Sequence, residues 1–248
     1  MIEAILPPEA AAAEAFEDSP AATIFPEEAA LVARAAEVRR REFTTGRDCA
    51  HRALSALGAP VGPVLSGPCG APAWPPGVVG SITHCAGYRA GVVAREGEVR
   101  SLGIDAEPNA PLPPGAEPVI ALPEEARRLR ELDRALPWVH WGRLLFSAKE
   151  AVYKAWFPLG GRMLSFEHAT VTFAVPAGAI SGTFTGRVHA TAAPGRGAAP
   201  TLVPGRWLAA GGLLLTSVVL PAPRTVPGAP RLRRSVPAPT PAPRRQPA

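Results

Sequence analysis

Residues 138–156 read WVHWGRLLFSAKEAVYKAW, and this pattern is typical of one long amphipathic helix. Its apolar side chains recur at intervals of three and four residues, as one face of an α-helix requires. The apolar positions are Trp141, Leu144, Leu145, Ala148, Val152 and Ala155. Pro158 follows and predicts the end of the helix, because proline removes a backbone hydrogen bond from a helix interior. The stretch therefore predicts the central helix of the second half of the chain.

Glu150 and Lys154 are four residues apart in this helix and therefore share one face. On an exposed helix such a pair is an ordinary salt bridge, worth about 0.3–0.5 kcal/mol. Here the neighbouring positions Ala151, Val152 and Ala155 are apolar. A glutamate and a lysine on a largely buried helix favour the binding of a polar ligand instead.

Two segments of the chain show the same order of elements, helices followed by extended runs. In the first, residues 27–57 are helical in character, with a break predicted near 44–46, and extended runs at 78–83, 88–94 and 99–107 form a meander. In the second, a helix at 123–136 precedes the long helix, and strands are predicted at 169–175, 182–190 and 206–220.

The doubled order predicts an α+β fold of two similar lobes, residues 1–110 and 111–220. In each lobe we expect helices to pack on a small antiparallel sheet of three or more strands. Residues 221–248 contain nine prolines and no aromatic residue, and we expect them to be a disordered tail.

The charge of the chain excludes no class of partner by itself, because it is concentrated at one end. Six of the 26 Lys and Arg residues lie after Pro221, where no acidic residue occurs, so the remainder is near neutral against 21 Asp and Glu. The net charge of +5 therefore does not imply nucleic-acid binding.

Cysteine content and hydropathy favour a soluble, cytoplasmic protein. Cys49, Cys69 and Cys85 are odd in number and lack C-x-x-C spacing, which fits a reducing compartment. The first residues lack the basic character of a signal peptide. The apolar run at 207–220 is too short to span a membrane.

Asp105 and Glu107 end the third extended run, in the segment GIDAE. Side chains two residues apart in a strand point to the same side, so the two carboxylates lie close and repel each other. A Mg²⁺ ion between them would relieve this repulsion, since it prefers oxygen ligands. The alternative is an exposed strand end with two solvated acids.

The segment GSITHCAGY, residues 80–88, places a histidine where a strand ends and a turn begins. His84 could be a structural histidine, or it could bind a phosphate together with the neighbouring Ser81 and Thr83. Carboxylates for Mg²⁺, a lysine and a histidine are together suited to chemistry at a pyrophosphate. The sequence has neither a P-loop nor a G-x-G-x-x-G motif.

In this order and spacing the segments resemble the signatures of phosphopantetheinyl transferases, in the single-chain class that includes the surfactin- and enterobactin-synthetase activators. The resemblance extends over about residues 25–175 and is carried by four segments: RREF…GRDCA at 40–50, WP…GVVGSITHCAGY at 74–88, GIDAEP at 103–108 and FSAKEAVYKAWFPL at 146–159.

The resemblance implies two pseudo-symmetric lobes with coenzyme A and Mg²⁺ in the cleft between them. Asp105, Glu107 and Glu150 would hold the metal. Lys154 would contact a phosphate and stabilise the leaving group, and His84 would bind the pyrophosphate from the other lobe. The basic residues that clamp the 3′-phosphoadenosine end are matched by Arg47 and by Arg40, with the adjacent Arg39 and Arg41 as alternatives to Arg40.

The implied reaction is attack by the serine of an apo acyl or peptidyl carrier protein on the β-phosphate of coenzyme A, with release of adenosine 3′,5′-bisphosphate. Glu150 is the candidate base for the serine proton, directly or through a metal-bound water. Such carriers serve fatty acid, polyketide, non-ribosomal peptide and siderophore synthesis. A monomer without nucleic-acid or membrane partners is expected.

One departure concerns Cys69, which stands where relatives often carry a lysine or arginine. Two other functions remain open. The first is a Mg²⁺-dependent phosphohydrolase acting on a small pyrophosphate, and the second is a non-catalytic protein that binds coenzyme A or a carrier.

Overall fold

The computed structural model describes residues 1–176, 178–193 and 199–223, and within them each half of the chain packs a long helix on an antiparallel sheet. The helices are α1 (Pro26–Leu31), α2 (Glu37–Ala56), α3 (Glu117–Ile120), α4 (Pro123–Ala135) and α5 (Trp141–Gly160). The strands are β1 (Ala10–Ala15), β2 (Leu65–Ser66), β3 (Pro72–Ala73), β4 (Val78–Cys85), β5 (Tyr88–Arg95), β6 (Val99–Pro108), β7 (Ala169–Ala174), β8 (Ser181–Val188), β9 (Leu202–Ala210) and β10 (Leu213–Pro221). Short 3₁₀ helices lie at Ile2–Ile5, Pro68–Gly70 and Phe166–His168.

The N-terminal unit is a sheet of order β1-β5-β4 with α2 packed on β5. A glycine makes this contact close. A Cβ atom on Gly91 of β5 would lie 2.7 Å from the backbone nitrogen of Ala50 in α2, a distance that real side chains do not tolerate. Any larger residue at position 91 would push the helix away from the sheet.

The C-terminal unit is a sheet of order β6-β10-β9-β8-β7 with α5 packed mainly on β6 and β10. A Cβ atom on Gly103 of β6 would lie 2.2 Å from the carbonyl oxygen of Ala151 in α5. The apolar face of α5 contributes Trp141 to an aromatic core, where its ring lies 5.4 Å from that of Trp207 and 5.6 Å from that of Phe173. In both units, therefore, a glycine in a strand allows the long helix to pack closely against the sheet.

The two sheets meet where β4 runs beside β6. Hydroxyl groups of β4 accept hydrogen bonds from backbone N–H groups of β6. Ser81 Oγ accepts from Ile104 at 3.1 Å, and Thr83 Oγ1 accepts from Ala106 at 3.1 Å. These bonds satisfy donors at an edge of the larger sheet, and they fix β4 against the strand that carries Asp105.

A buried ion pair ties α5 to α4. Lys149 Nζ lies 2.7 Å from Glu125 Oε2, and both side chains are 2% exposed. The ammonium also donates to the carbonyls of Ile120 and Phe166, and the carboxylate accepts from the backbone N–H groups at positions 122 and 171. Every polar atom of the pair is therefore engaged, and Lys149 has a structural role.

The α+β class and the two sheet-and-helix units confirm the sequence prediction, but several boundaries differ. The first helical region breaks at residues 32–36 and not at 44–46, and Gly46 lies inside α2. Pro158 lies within α5, which ends two residues later at Gly160. Gly161 follows in the left-handed conformation with φ of 68°, the usual helix terminator.

The strand predictions need two corrections. The predicted strand at 206–220 is a hairpin, since Gly211 and Gly212 turn the chain between β9 and β10. The run at 99–107, predicted to continue the N-terminal meander, pairs with β10 in the larger sheet. The chain therefore crosses from one sheet to the other between β5 and β6, ahead of the lobe boundary predicted at residue 110.

Most of the predicted tail lies outside the described residues. β10 ends at Pro221, and residues 224–248 are not described. In the described part of the chain, no helix combines the length and the hydropathy that a membrane crossing requires.

Candidate active site

A cavity of about 700 Å³ opens between the two units. Its wall is formed by α2, the loop at residues 66–72, β4 and the C-terminal half of α5. The polar side chains that line it include Arg39, Arg47, Ser81, His84, Tyr153 and Lys154. A second cavity of about 520 Å³ lies against β8, β9 and β10 and contains none of the predicted site residues. The first cavity is therefore the candidate site.

Asp105 lies beside this cavity, held by residues of β4 and α5. Its Oδ1 is 2.7 Å from Lys154 Nζ and accepts a hydrogen bond of 3.2 Å from Thr83 Oγ1. Lys154 Nζ also donates to the carbonyl of Ile104 at 3.1 Å. The other oxygen, Asp105 Oδ2, is buried without a hydrogen-bond partner in the described structure. A buried carboxylate oxygen without a partner is costly, and a cation would satisfy it.

The electrostatics show that negative charge is concentrated at the end of β6. Burial raises the pKa of Glu107, and the charge of Asp105 raises it further, although Arg143 lies 3.0 Å away and opposes the shift. Burial also raises the pKa of Glu150, with Asp105 adding to the shift and Lys154 opposing it. Burial and the charges of Glu107 and Asp105 raise the pKa of the Cys85 thiol to about 12.

These residues fit a divalent cation in charge and in ligand type. Repulsion among Asp105, Glu107 and Glu150, and the unpartnered Asp105 Oδ2, would both be relieved by a bound Mg²⁺ ion. Among residues 1–176, 178–193 and 199–223, no three acidic, histidine or cysteine side chains are already gathered around one point. Lys154 and Arg143 occupy two of the carboxylates as counter-ions.

The raised pKa of Glu150 leads to a pH-dependent prediction for the metal-free protein. A carboxyl group whose folded pKa exceeds its unfolded value of 4.5 lowers stability once pH rises through the folded pKa. We therefore expect Glu150→Gln to be more stable than the wild type at neutral pH, and we expect this gain to disappear as pH falls toward 4.5. Thermal unfolding in EDTA across this pH range measures it.

Glu96, in the exposed turn between β5 and β6, provides the control for that experiment. The Glu96→Gln variant should follow the wild type at every pH, because its carboxylate is solvated in both states. Equal stability of Glu150→Gln and wild type at neutral pH would contradict the expectation.

The cationic wall of the cavity comes from α2 and β4. Arg39 lies 2.7 Å from His84 Nε2, measured from Nη1. Arg47 stacks on Phe43, with its guanidinium carbon 4.6 Å from the ring centre, and lies 3.9 Å from the buried Glu28. Its Nε is buried without a hydrogen-bond partner in the described structure. One side of His84 faces solvent, but burial of the rest and the charge of Arg39 lower its pKa.

The structure brings most of the predicted site residues together. Arg47, Ser81, His84 and Lys154 line the cavity, and Asp105 contacts Lys154. The prediction for Arg40 is not supported by its position, because its guanidinium bonds to Glu37 and to the carbonyl of Ala35, and its neighbour Arg39 lines the cavity instead.

Three further side chains differ from or add to the predicted set. Thr83 does not line the cavity, and its hydroxyl holds β6 and Asp105. Sequence reasoning missed Arg143, the partner of Glu107. A signal existed, since Arg143 lies seven residues before Glu150 and thus on the same face of α5. Trp74, which packs over Gly80, also lines the cavity and was missed.

Comparison with known proteins finds the same family along both halves of the chain. Residues 27–94 match the 4′-phosphopantetheinyl transferase N-terminal domain, and residues 101–194 match the 4′-phosphopantetheinyl transferase superfamily. The chain is 49% identical over 226 residues to the 4′-phosphopantetheinyl transferase Svp of Streptomyces mobaraensis, covering 90% of each chain.

Two further relatives are similar over most of their length. The 4′-phosphopantetheinyl transferase PptT of Mycobacterium tuberculosis is 48% identical over 209 residues, 84% of this chain and 91% of the relative. The 4′-phosphopantetheinyl transferase Npt of Nocardia iowensis is 46% identical over 222 residues, 88% of this chain and 99% of the relative.

Proposed function

The chain belongs to the 4′-phosphopantetheinyl transferase superfamily, and we propose that its cavity binds coenzyme A and carries out the transfer of the phosphopantetheine arm. It is a transferase that moves the phosphopantetheine arm of coenzyme A to a carrier protein. The observation that carries the proposal is the cavity wall: cationic side chains from both units line it, and one of them, Lys154, contacts Asp105.

Coenzyme A carries three phosphate groups, and the cavity offers a cation or a hydrogen-bond donor for each of them. Arg39 and Arg47, which line the cavity from the N-terminal unit, would bind the 3′-phosphate end, because guanidinium groups form strong paired bonds with phosphate. Lys154, which contacts Asp105, and His84, which also lines the cavity, would bind the pyrophosphate. Cys69 also lines the cavity and carries no positive charge, so the two arginines would supply the cations at this end.

Asp105, Glu107 and Glu150 would hold a Mg²⁺ ion beside the pyrophosphate. When bound, the ion neutralises negative charge that builds on the phosphate oxygens during transfer. Of the two counter-ions now on these carboxylates, Lys154 is the one next to the cavity, and it would turn its ammonium to the leaving 3′,5′-bisphosphate.

The carrier serine attacks the β-phosphorus of coenzyme A in line with the bond to the leaving group. Glu150 would accept the serine proton, and its raised pKa suits this role because a base works best when its pKa approaches the working pH. The bond from the β-phosphorus to its bridging oxygen breaks as the bond to the serine oxygen forms. The arm remains on the carrier, and adenosine 3′,5′-bisphosphate leaves.

The partner is proposed to be an apo acyl or peptidyl carrier protein, served by a monomer that binds no nucleic acid. The three cysteines are free thiols in the described structure, which suits a reducing cytoplasm.

Intact-mass analysis of an apo carrier protein, incubated with this protein, coenzyme A and Mg²⁺, tests the proposal. We expect the carrier to gain the mass of one phosphopantetheine arm, and we expect the gain to disappear with EDTA or with Glu150→Ala. Gain of the arm in EDTA would contradict the metal site. Hydrolysis of coenzyme A without any change in several carriers would instead identify a phosphohydrolase.

A further inference from the structure

A row of charged side chains leads to the cavity wall, and two of its members, Asp18 and Arg89, are not part of the cavity lining. Asp18 contacts Arg89 at 2.9 Å, Arg89 lies 3.7 Å from Glu42, and Glu42 lies 3.7 Å from Arg39. Arg39 then meets His84 at 2.7 Å. The row thus begins in the loop before α1 and ends at a side chain of the cavity wall.

Arg89 is the buried centre of this row, with 5% of its surface exposed. It lies on β5 directly opposite His84 in the β4–β5 hairpin. Its guanidinium donates hydrogen bonds to the carbonyl oxygens of Cys85 and Tyr88, which flank the two-residue turn. Arg89 therefore stabilises the turn next to His84, and its guanidinium also lies near the carboxylate of Glu42 in α2.

Glu42 is the link between this turn and the arginine of the cavity. It lies one helical turn after Arg39 in α2, and its two carboxylate oxygens face different cations, Oε1 toward Arg89 and Oε2 toward Arg39. A carboxylate held between two arginines restricts the rotamers of both. Without its charge, the partly exposed Arg39 would be free to turn into solvent.

The contact between Arg39 and His84 defines the tautomer of the imidazole. Arginine is cationic at all relevant pH values and can only donate hydrogen bonds. His84 Nε2 must therefore accept from Arg39 Nη1, so it carries no proton. The neutral ring then bears its proton on Nδ1, which leaves an N–H donor free on the other side of the ring.

We propose that Arg89 and Glu42 are positioning residues that hold Arg39 against His84, so that His84 meets a phosphate of coenzyme A as a neutral Nδ1–H donor. This proposal rests on the proposed function, since it concerns the same cavity. The charged groups that face His84 are Arg39, Glu42 and Arg89 from the row and Lys154 from α5, and three of these four are cations that disfavour protonation of the ring.

Steady-state kinetics with Glu42→Gln test the positioning role. We expect the KM for coenzyme A to rise about tenfold, the change that loss of one charge-assisted interaction produces. The kcat should stay near the wild-type value, because Lys154 and Asp105 are untouched. Arg89→Lys should also raise the KM for coenzyme A. Because Arg89 is buried, this variant could fail to fold, and Glu42→Gln, on a partly exposed side chain, then tests the proposal by itself.

Glu37→Gln is the matched control. Glu37 lies in the same helix and pairs with Arg40, which does not line the cavity. Its substitution removes an equivalent carboxylate and should leave the KM unchanged. Equal effects of Glu42→Gln and Glu37→Gln on the KM would overturn the proposal.

Long-range ¹H–¹⁵N NMR of the histidine rings tests the tautomer, with His84 assigned by its loss in His84→Gln. At neutral pH we expect the wild-type ring to show a protonated Nδ1 and a bare Nε2, and Glu42→Gln to show a mixture of tautomers. A wild-type ring protonated on Nε2 would overturn the proposal. This spectrum does not depend on transfer of the phosphopantetheine arm. It therefore tests the tautomer separately from the proposed function, which is tested by the mass of the carrier protein.

Discussion

The Asp105→Asn variant is expected to load carrier protein with a kcat about a hundred- to a thousandfold below that of the wild type, the usual effect of removing one electrostatic group from a transition state. Asparagine keeps the shape of the side chain, and its amide oxygen can still accept the hydrogen bond from Thr83. It removes the charge that lies 2.7 Å from Lys154 Nζ. It also removes one of the three carboxylates proposed to hold the metal. Initial rates of arm transfer at saturating coenzyme A measure the effect.

Asp48→Asn is the control for this variant. Asp48 lies in α2 and pairs with the exposed Arg52, outside the cavity. Its substitution should leave the rate of transfer unchanged. A rate for Asp105→Asn within tenfold of the wild type, in a protein that unfolds at the same temperature, would remove Asp105 from the catalytic set.

The Glu125→Ala variant is expected to lose about 3–5 kcal/mol of folding free energy, because it leaves the buried ammonium of Lys149 without its counter-ion. It also leaves the backbone N–H groups at positions 122 and 171 without their acceptor. The melting temperature should therefore fall by roughly 10 °C. Urea unfolding monitored by circular dichroism measures the change in free energy.

Glu131 supplies a second carboxylate–cation pair in the same helix, α4, on its exposed side. It pairs with Arg128, and more than half of each side chain is exposed, 51% for Glu131 and 53% for Arg128. Glu131→Ala should cost about 1 kcal/mol or less. If the two variants lost equal stability, the buried pair would not have the structural role assigned to it.

The central helix and the chemistry it carries could be predicted from sequence, because both depend on local periodicity. The spacing of apolar residues in α5 and the i, i+4 placement of Glu150 and Lys154 are properties of one helix. The contact of Lys154 with Asp105 could not be predicted in this way. It depends on Gly103, which lets the backbone of α5 approach β6 closely, and on pairing between strands far apart in the chain.

Two further points depend on more than the local pattern. Adjacent residues of a helix point about 100° apart, so the choice among Arg39, Arg40 and Arg41 depends on the rotation of α2 about its axis, which packing against β5 and β1 determines. The apolar run at 207–220 continues across Gly211 and Gly212, so it predicts one strand where the structure has a hairpin. Two glycines between extended runs are in fact a hairpin signal.

The position of β6 in the sheet has a consequence for the order of events during synthesis. Asp105 lies opposite Thr216 of β10, so the strand that carries it has no hydrogen-bonding neighbour in its sheet until residues 213–221 have left the ribosome. A nascent chain that ends at β9 already contains α2, β4 and α5, yet it lacks the strand that fixes Asp105 beside Lys154. Contacts of such long sequence separation slow the folding of a domain. Because α5 also packs on β6 and β10, the α5 wall of the cavity depends on the same strand pairing as the acidic site.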